Sequence, residues 1–228
     1  SPTFGSFDRP YWHYQTMDFA NGRLQEAGLI LALLTVTEAE GNPFFASEQI
    51  KEWALGAVRF WAQSQGRDGS LSEVYPREQS YVATAFSTLA MSETLQVLGS
   101  TDRSDAVERA AQWLSRNENL GVSNQVAGAI AALDSASRLT GIDRFRSAAQ
   151  TKLDQLLSQQ SPEGWFPEYG GFDIGYNSIC LGHLALYAER SDNNDAAAAA
   201  ERVAEFIDEH IREDGTYDPE PTSRRTQY

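Results

Sequence analysis

Cysteine is almost missing from this chain: Cys180 stands alone among 228 residues. A single thiol excludes an internal disulfide framework and any cysteine-based metal cluster. Long apolar runs are missing too. The most hydrophobic stretch, AGLILALLTV from Ala27 to Val36, leads into an acidic segment. It falls well short of the roughly 20 apolar residues that cross a bilayer, so no membrane insertion is expected. Lysine is scarce, with only Lys51 and Lys152 against sixteen arginines. Positive charge as a whole is outnumbered, 18 Lys and Arg to 32 Asp and Glu, for a formal net charge of −14. That balance argues against nucleic acid as a partner and repels polyanions except where arginines gather. Few lysines among many carboxylates suit a salt-adapted cell and equally a high-GC genome. No basic-then-apolar leader precedes Ser1, and with no initiating Met the compartment stays open.

Standard catalytic signatures are absent as well. There is no phosphate-cradling Gly loop with Lys and Ser/Thr, no dinucleotide fingerprint and no Gly-x-Ser-x-Gly elbow. The three histidines, His13, His183 and His210, are far apart in sequence and lack metal-ligand spacing, so neither metal nor cofactor is expected.

What the chain does have is helical periodicity. Apolar residues recur every three or four positions, which predicts helices at about 22–38, 47–65, 79–98, 103–117, 123–139, 143–160, 175–190 and 195–212. Ser47 with Glu48 reads as a start signal, as do Asp102 to Asp105, while Gly99 and Gly141 mark ends. No alternating strand pattern competes, so the expected class is all-α.

The loops between these helices repeat. DGSLSEVYPREQSY (Asp68 to Tyr81) and EGWFPEYGGFDIGY (Glu163 to Tyr176) share acid-Gly-x-apolar-x-Glu, with a Tyr eight positions past the Glu. A third copy, DGTYDPEPTSRRTQY, runs from Asp214 to Tyr228 with one residue inserted before Glu220. A degenerate copy, NENLGVSNQ (Asn117 to Gln125), fills the interval, and YWHYQTMDFANG (Tyr11 to Gly22) precedes the first helix. The unit is therefore a helix hairpin of about fifty residues. Long loops alternate with short turns, which predicts an α/α toroid, or an open arc, of about four hairpins. Weakly charged helices would form its inner layer and amphipathic ones its outer layer. A single domain over residues 1–228 is expected. Because a further inner helix should begin at Tyr228, the ring is expected either to stay open or to be completed elsewhere. The alternative is that four hairpins and a tail are the whole protein.

In such a fold the long loops crowd one rim. Candidate reactive groups there are Tyr176, Asn124, Tyr81, Glu168 and Glu73. Candidate binding groups are Trp12, His13, Tyr14, Arg77, Trp165, Tyr169 and Asp173, joined by Arg224 and Arg225 from the tail. Flat rings, carboxylates and arginine together suit a sugar, through stacking and hydrogen bonds to hydroxyls. Each also has a structural reading. Glu73 and Glu168 can cap helices or hold loop amides, Asp173 can be an N-cap, and Tyr81 and Tyr176 can plug the ring.

Two family resemblances bear on these residues. QSPEGWF (Gln160 to Phe166), echoed by QGRDGSL (Gln65 to Leu71), resembles the Gln-Trp repeat of squalene and terpene cyclases. In that family it braces the helices of an α/α ring; the cyclases' acidic catalytic run has no counterpart here. The stretch from about Asn124 to Tyr187 is similar to the toroid domain of heparinase II/III-like polysaccharide lyases. That resemblance implies a partner polysaccharide or oligosaccharide. It also implies that Asn124 neutralises a uronate carboxylate while Tyr176, or Tyr81, transfers the proton of a β-elimination. Gln125 stands where that family often has His. Two alternatives accompany the lyase expectation: a glycoside hydrolase using Glu73 and Glu168, and a non-catalytic helical-repeat module binding glycan or protein.

Overall fold

The computed structural model describes residues 1–223 and 225. The expected Tyr228 of the third loop copy, and Arg224, lie outside the described residues. Among those described, the chain is all-helical: α1 (Arg9–Trp12), a 3₁₀ turn (Gly22–Glu26), α2 (Ala27–Val36), α3 (Glu48–Ser64), α4 (Tyr81–Val97), α5 (Ser104–Arg116), α6 (Ser123–Thr140), α7 (Asp143–Leu157), α8 (Ile174–Ser191) and α9 (Asn194–His210). Among the described residues extended pairing is limited to isolated bridges. The predicted helices are all present, and only the single-turn α1 was not anticipated. No described helix is long and apolar enough to cross a membrane.

Local chemistry explains the boundaries. Ser47, Ser80, Asp173 and Asn193 are N-caps whose side chains accept a backbone N–H two or three residues inside α3, α4, α8 and α9. Gly99 and Gly141 follow their helices with φ of +59° and +72°, the left-handed closure expected of them. The start of α5 differs from expectation. Its N-cap is Arg103, itself left-handed and without a side-chain cap bond. Asp102 instead accepts from Arg59 Nε at 2.6 Å.

The chain divides into two compact units, Ser1–Asn117 with Ser135–Phe145, and Glu118–Asp134 with the residues from Arg146 onward. In the first unit, α4 packs against α2, α3, α5 and the 3₁₀ turn, and 14 of its 17 residues are buried. Part of the cost of burying this Ser/Thr-rich helix is offset where hydroxyls bond back to the helix's own carbonyls, although the Thr88 and Ser92 hydroxyls find no partner among the described residues. Thr84 donates to Ser80 O at 2.7 Å, Thr94 to Ala90 O at 2.8 Å, and Ser87 both donates to Ala83 O and accepts the Trp61 indole N–H at 2.8 Å. The nearly inaccessible Glu93 accepts from Ser135 Oγ at 2.5 Å and from Arg138 at 3.2 Å, so its charge enters the core already paired.

In the second unit α8 packs on α9, which buries Ala196, Ala199, Ala200, Val203 and Phe206 along one face. Lys152 is 1% exposed, and its ammonium reaches Glu118 at 3.0 Å. The weakly charged α4 and α6 are enclosed nearly all round, whereas α5 and α9 bury one stripe and leave a charged face in water.

Candidate functional site

The repeated loops are built alike at their starts. In the first copy Gly66 N donates to Ser70 O at 2.8 Å and Gly69 N to Gly66 O at 3.0 Å; in the second, Ser161 N donates to Trp165 O at 2.9 Å and Gly164 N to Ser161 O at 3.0 Å. The preceding glutamine then ties the turn to an amphipathic helix. Gln65 donates to Ala106 O of α5 at 2.9 Å, and Gln160 donates to Ala199 O of α9 at 3.0 Å. Each glutamine carbonyl in turn accepts from an arginine of that helix, Arg109 or Arg202. Gln, Gly and Arg therefore form one brace, repeated in both units.

Further along, the loops diverge. Ser80 is the cap of α4 and Asp173 the cap of α8, a spacing two residues shorter than that between the glycine turns. Tyr81 thus opens α4, with its ring 6.0 Å from Trp113, while Tyr176 is the third residue of α8. Thr84 is the positional counterpart of Asn177, each in its own unit. Asn177 Oδ1 accepts Phe166 N at 2.8 Å, and Thr84 Oγ1 accepts Leu71 N at 3.0 Å.

In the second unit, Asn124, Glu168, Tyr169, Asp173 and Tyr176 are neighbours. Glu168 is fully buried and closes the N-terminus of α6: its carboxylate accepts Asn124 N at 2.6 Å and Asn124 Nδ2 at 3.0 Å. Ser123 Oγ donates to Pro167 O at 2.7 Å beside it. A carboxylate at a helix N-terminus meets unpaired N–H groups and the positive end of the helix dipole, which accounts for its tolerance of burial. Asp173 Oδ1 accepts Tyr176 N at 3.0 Å, and the Tyr169 and Tyr176 rings lie 5.9 Å apart. Trp165 donates to Glu163 and packs on Phe172 with ring centres 5.9 Å apart. Cys180 is completely buried, and burial first, then the Glu168 charge, pushes its thiol well above the usual range.

The first unit gathers a different set. Asp8 caps α1 and accepts Asn21 N at 2.8 Å, holding the segment that carries Trp12, His13 and Tyr14. Their rings follow one another at 5.0 and 4.9 Å, and Arg9 lies over Tyr14. Arg77 is exposed with φ of +62° at the loop apex. Behind it Glu78 accepts the amides of Glu73, Val74 and Tyr75 at 3.0, 2.7 and 3.1 Å. Burial raises the Glu78 carboxyl, but these three amides outweigh it and hold the group below its ordinary range.

Glu73 is part of a cluster that sequence reading did not find. Arg23, in the 3₁₀ turn, pairs with Glu26 and reaches Glu73 at 3.8 Å, with its guanidinium 4.7 Å from the Phe86 ring centre. Ser80 Oγ donates to the other Glu73 oxygen at 3.0 Å. Arg23, Glu26 and Glu73 retain 33%, 32% and 25% of their side-chain exposure, so they touch solvent without being free in it. Burial raises the Glu26 carboxyl above its ordinary value; Arg23 opposes that shift and the Glu73 charge adds to it. Arg-x-x-Glu at i, i+3 was the available local signal, but its partner Glu73 lies fifty residues from Arg23.

Among the described residues no group of three or more His, Cys, Asp or Glu side chains is placed to hold a metal ion. No protein-family model, no curated protein and no solved structure matches the chain.

Proposed function

We propose that the chain is a carbohydrate-acting domain of the α/α-toroid or open-arc type, with its chemistry at Arg23, Glu26 and Glu73. The observation that carries this reading is one guanidinium shared by two carboxyls whose surroundings differ. A carboxyl with a raised pKa beside a second carboxyl is the requirement for acid/base cleavage of a glycosidic bond. Glu26 is suited to protonating the leaving oxygen. Glu73, oriented by Ser80 and Arg23, is suited to assisting attack from the other side. The exposed Trp12, Tyr14 and Tyr75 in the same unit are the kind of surface on which sugar rings stack.

This reading keeps the substrate class of the elimination chemistry and assigns different residues. Elimination would need the Asn124 amide to face a uronate carboxylate. That amide is 2% exposed and donates to Glu168, whose negative charge would oppose a second carboxylate. The same buried pair favours a second reading, a non-catalytic glycan-binding module in which the repeated glutamates brace loops.

The test is an oligosaccharide panel including neutral and uronate polymers, read for new reducing ends and for the absorbance of unsaturated uronate. Hydrolysis abolished by Glu26→Gln and Glu73→Gln, and retained in Tyr176→Phe, would support the proposal. Unsaturated product lost in Asn124→Ala and Tyr176→Phe would return the chemistry to elimination. Binding without turnover would leave the module, and no binding to any glycan would overturn the carbohydrate class.

A further inference from the structure

Arg23, Arg59, Arg109, Arg138, Arg144 and Arg212 each pair with a carboxylate. Arg67 and Arg77 do not. Neither has a hydrogen-bond or ion-pair partner among the described residues, in a chain whose formal net charge is −14. Both are exposed, and both line one cleft of about 550 Å³ inside the first repeated loop, with Asp68, Ser72, Glu78 and Gln79.

The two acids of this cleft are tied into the loop itself. Asp68 Oδ1 accepts Ser70 N at 3.1 Å and Ser70 Oγ at 2.7 Å, while its Oδ2 accepts the Gln79 amide from the other leg of the loop. The amides of Glu73, Val74 and Tyr75 all reach Glu78 Oε2, and Glu78 Oε1 accepts from no described residue. The repeat does not require such a cleft. Phe172, which precedes the Asp173 cap as Gln79 precedes Ser80, packs on Trp165, Phe206 and His210 with ring centres 5.9, 5.1 and 5.4 Å away. The second copy puts rings where the first puts polar groups.

We propose that the cleft is a subsite for an acidic sugar unit, whose carboxylate or sulfate group pairs with Arg67 and Arg77 while its hydroxyls donate to Glu78 Oε1 and Asp68; this rests on the carbohydrate reading above and adds the charge of the ligand to it. The mixture of charges selects the class. A free sulfate ion would meet two acids with no proton to offer them. A sugar acid brings an anion for the guanidiniums and O–H donors for the carboxylates. The surroundings suit a chain of such units. A hollow of about 380 Å³, lined by Tyr11, Phe19, Phe60 and Gln63, shares Ser72 with the cleft and offers an aromatic lining to the adjoining ring. Glu73 follows Ser72 directly, and Ser72 O accepts Gly22 N at 2.9 Å beside Arg23.

Isothermal titration of the full chain tests this with galacturonate and mannuronate hexamers, their methyl esters, a sulfated galactose hexamer and a hexaglutamate peptide. A uronate hexamer should bind at least about ten-fold tighter than its methyl ester, and Arg67→Gln combined with Arg77→Gln should abolish that preference. Both positions are exposed, so helical circular dichroism should be unchanged. Arg116→Gln, at an exposed arginine outside the cleft, should leave the preference intact. Preference for the sulfated hexamer, lost in the same double variant, would support the subsite and identify its anion as sulfate. Equal loss in Arg116→Gln, or equal binding of hexaglutamate, would reduce the effect to bulk charge and overturn the subsite. Acidic and esterified hexamers bound alike would overturn the subsite and leave the carbohydrate reading standing, whereas no hexamer bound at all would overturn both.

Discussion

Glu168 shows how a buried carboxylate can belong to a fold. Both oxygens accept bonds from Asn124, one from the backbone at the start of α6 and one from the side-chain amide. Glu168→Gln keeps the shape but turns an NH2 toward an N–H donor. It is expected to destabilise the protein by about 1–3 kcal/mol, the usual consequence of an unmatched buried polar group. Urea unfolding of the variant would show this as a lower midpoint, and an unchanged midpoint would mean that the Asn124 contacts contribute nothing net. Glu26 behaves in the opposite sense. Burial, reinforced by Glu73 and opposed by Arg23, raises its folded pKa above the unfolded value. Its protonated form is favoured by folding, so that contribution is complete below the unfolded carboxyl pKa and is lost as pH rises through the folded one. Glu26→Gln should therefore gain stability relative to the parent between about pH 4 and pH 7. Paired unfolding curves across that range check the sign, and a relative loss would mean that the Arg23 pair outweighs burial.

At the scale of elements, the repeated brace makes a comparison between two glycines. Gly164 is left-handed and lies against a carbonyl of α9, whereas Gly215 is left-handed with no described residue within 4 Å of its Cβ position. Gly164→Ala combines backbone strain with a collision and is expected to destabilise by about 3 kcal/mol or more. Gly215→Ala meets only the strain, about 1 kcal/mol. Thermal unfolding of the pair measures the difference; equal losses would mean that contact with α9 is not what holds the loop. The element scale is also where sequence reading served best. Periodicity of three and four located α2 to α9, and Ser47, Asp173, Gly99 and Gly141 took the roles their chemistry implies. The repeat was legible in its glycine turn because a left-handed residue against a backbone is a strict local demand. It was less legible in its tyrosines: Tyr81 and Tyr176 match in spacing from the glutamate, but the caps Ser80 and Asp173 place them at different helix positions.

For the whole molecule, net charge adds an electrostatic opposition to folding on top of the conformational entropy of the chain. A formal −14 over 228 residues makes like-charge repulsion an opponent of compaction. Exposed pairs such as Arg109–Asp105 and Arg144–Glu108 return little of it. Raising ionic strength from about 10 to 150 mM shortens the Debye length from about 30 to 8 Å and should raise the melting temperature by a few degrees. A fall in melting temperature would mean that specific ion pairs, rather than net repulsion, govern stability. The candidate site was only partly legible for a related reason. Glu73 stood out through its repetition, but Arg23 and Glu26, whose charges surround it, reach it from the 3₁₀ turn about fifty residues earlier. The equally repeated Glu168 went to a helix N-terminus instead.

Helix content, most helix ends and the glycine turns were determined by sequence alone, because each depends on residues within a few positions of one another; the starts of α5 and α6 are exceptions, since Asp102 goes to Arg59 and Glu168 reaches Asn124. Tertiary structure decided which of two equivalent glutamates touches solvent and which helix covers the Gly69 and Gly164 turns. Those outcomes depend on groups tens of residues apart, where burial and the sharing of one guanidinium, rather than local preference, set the chemistry.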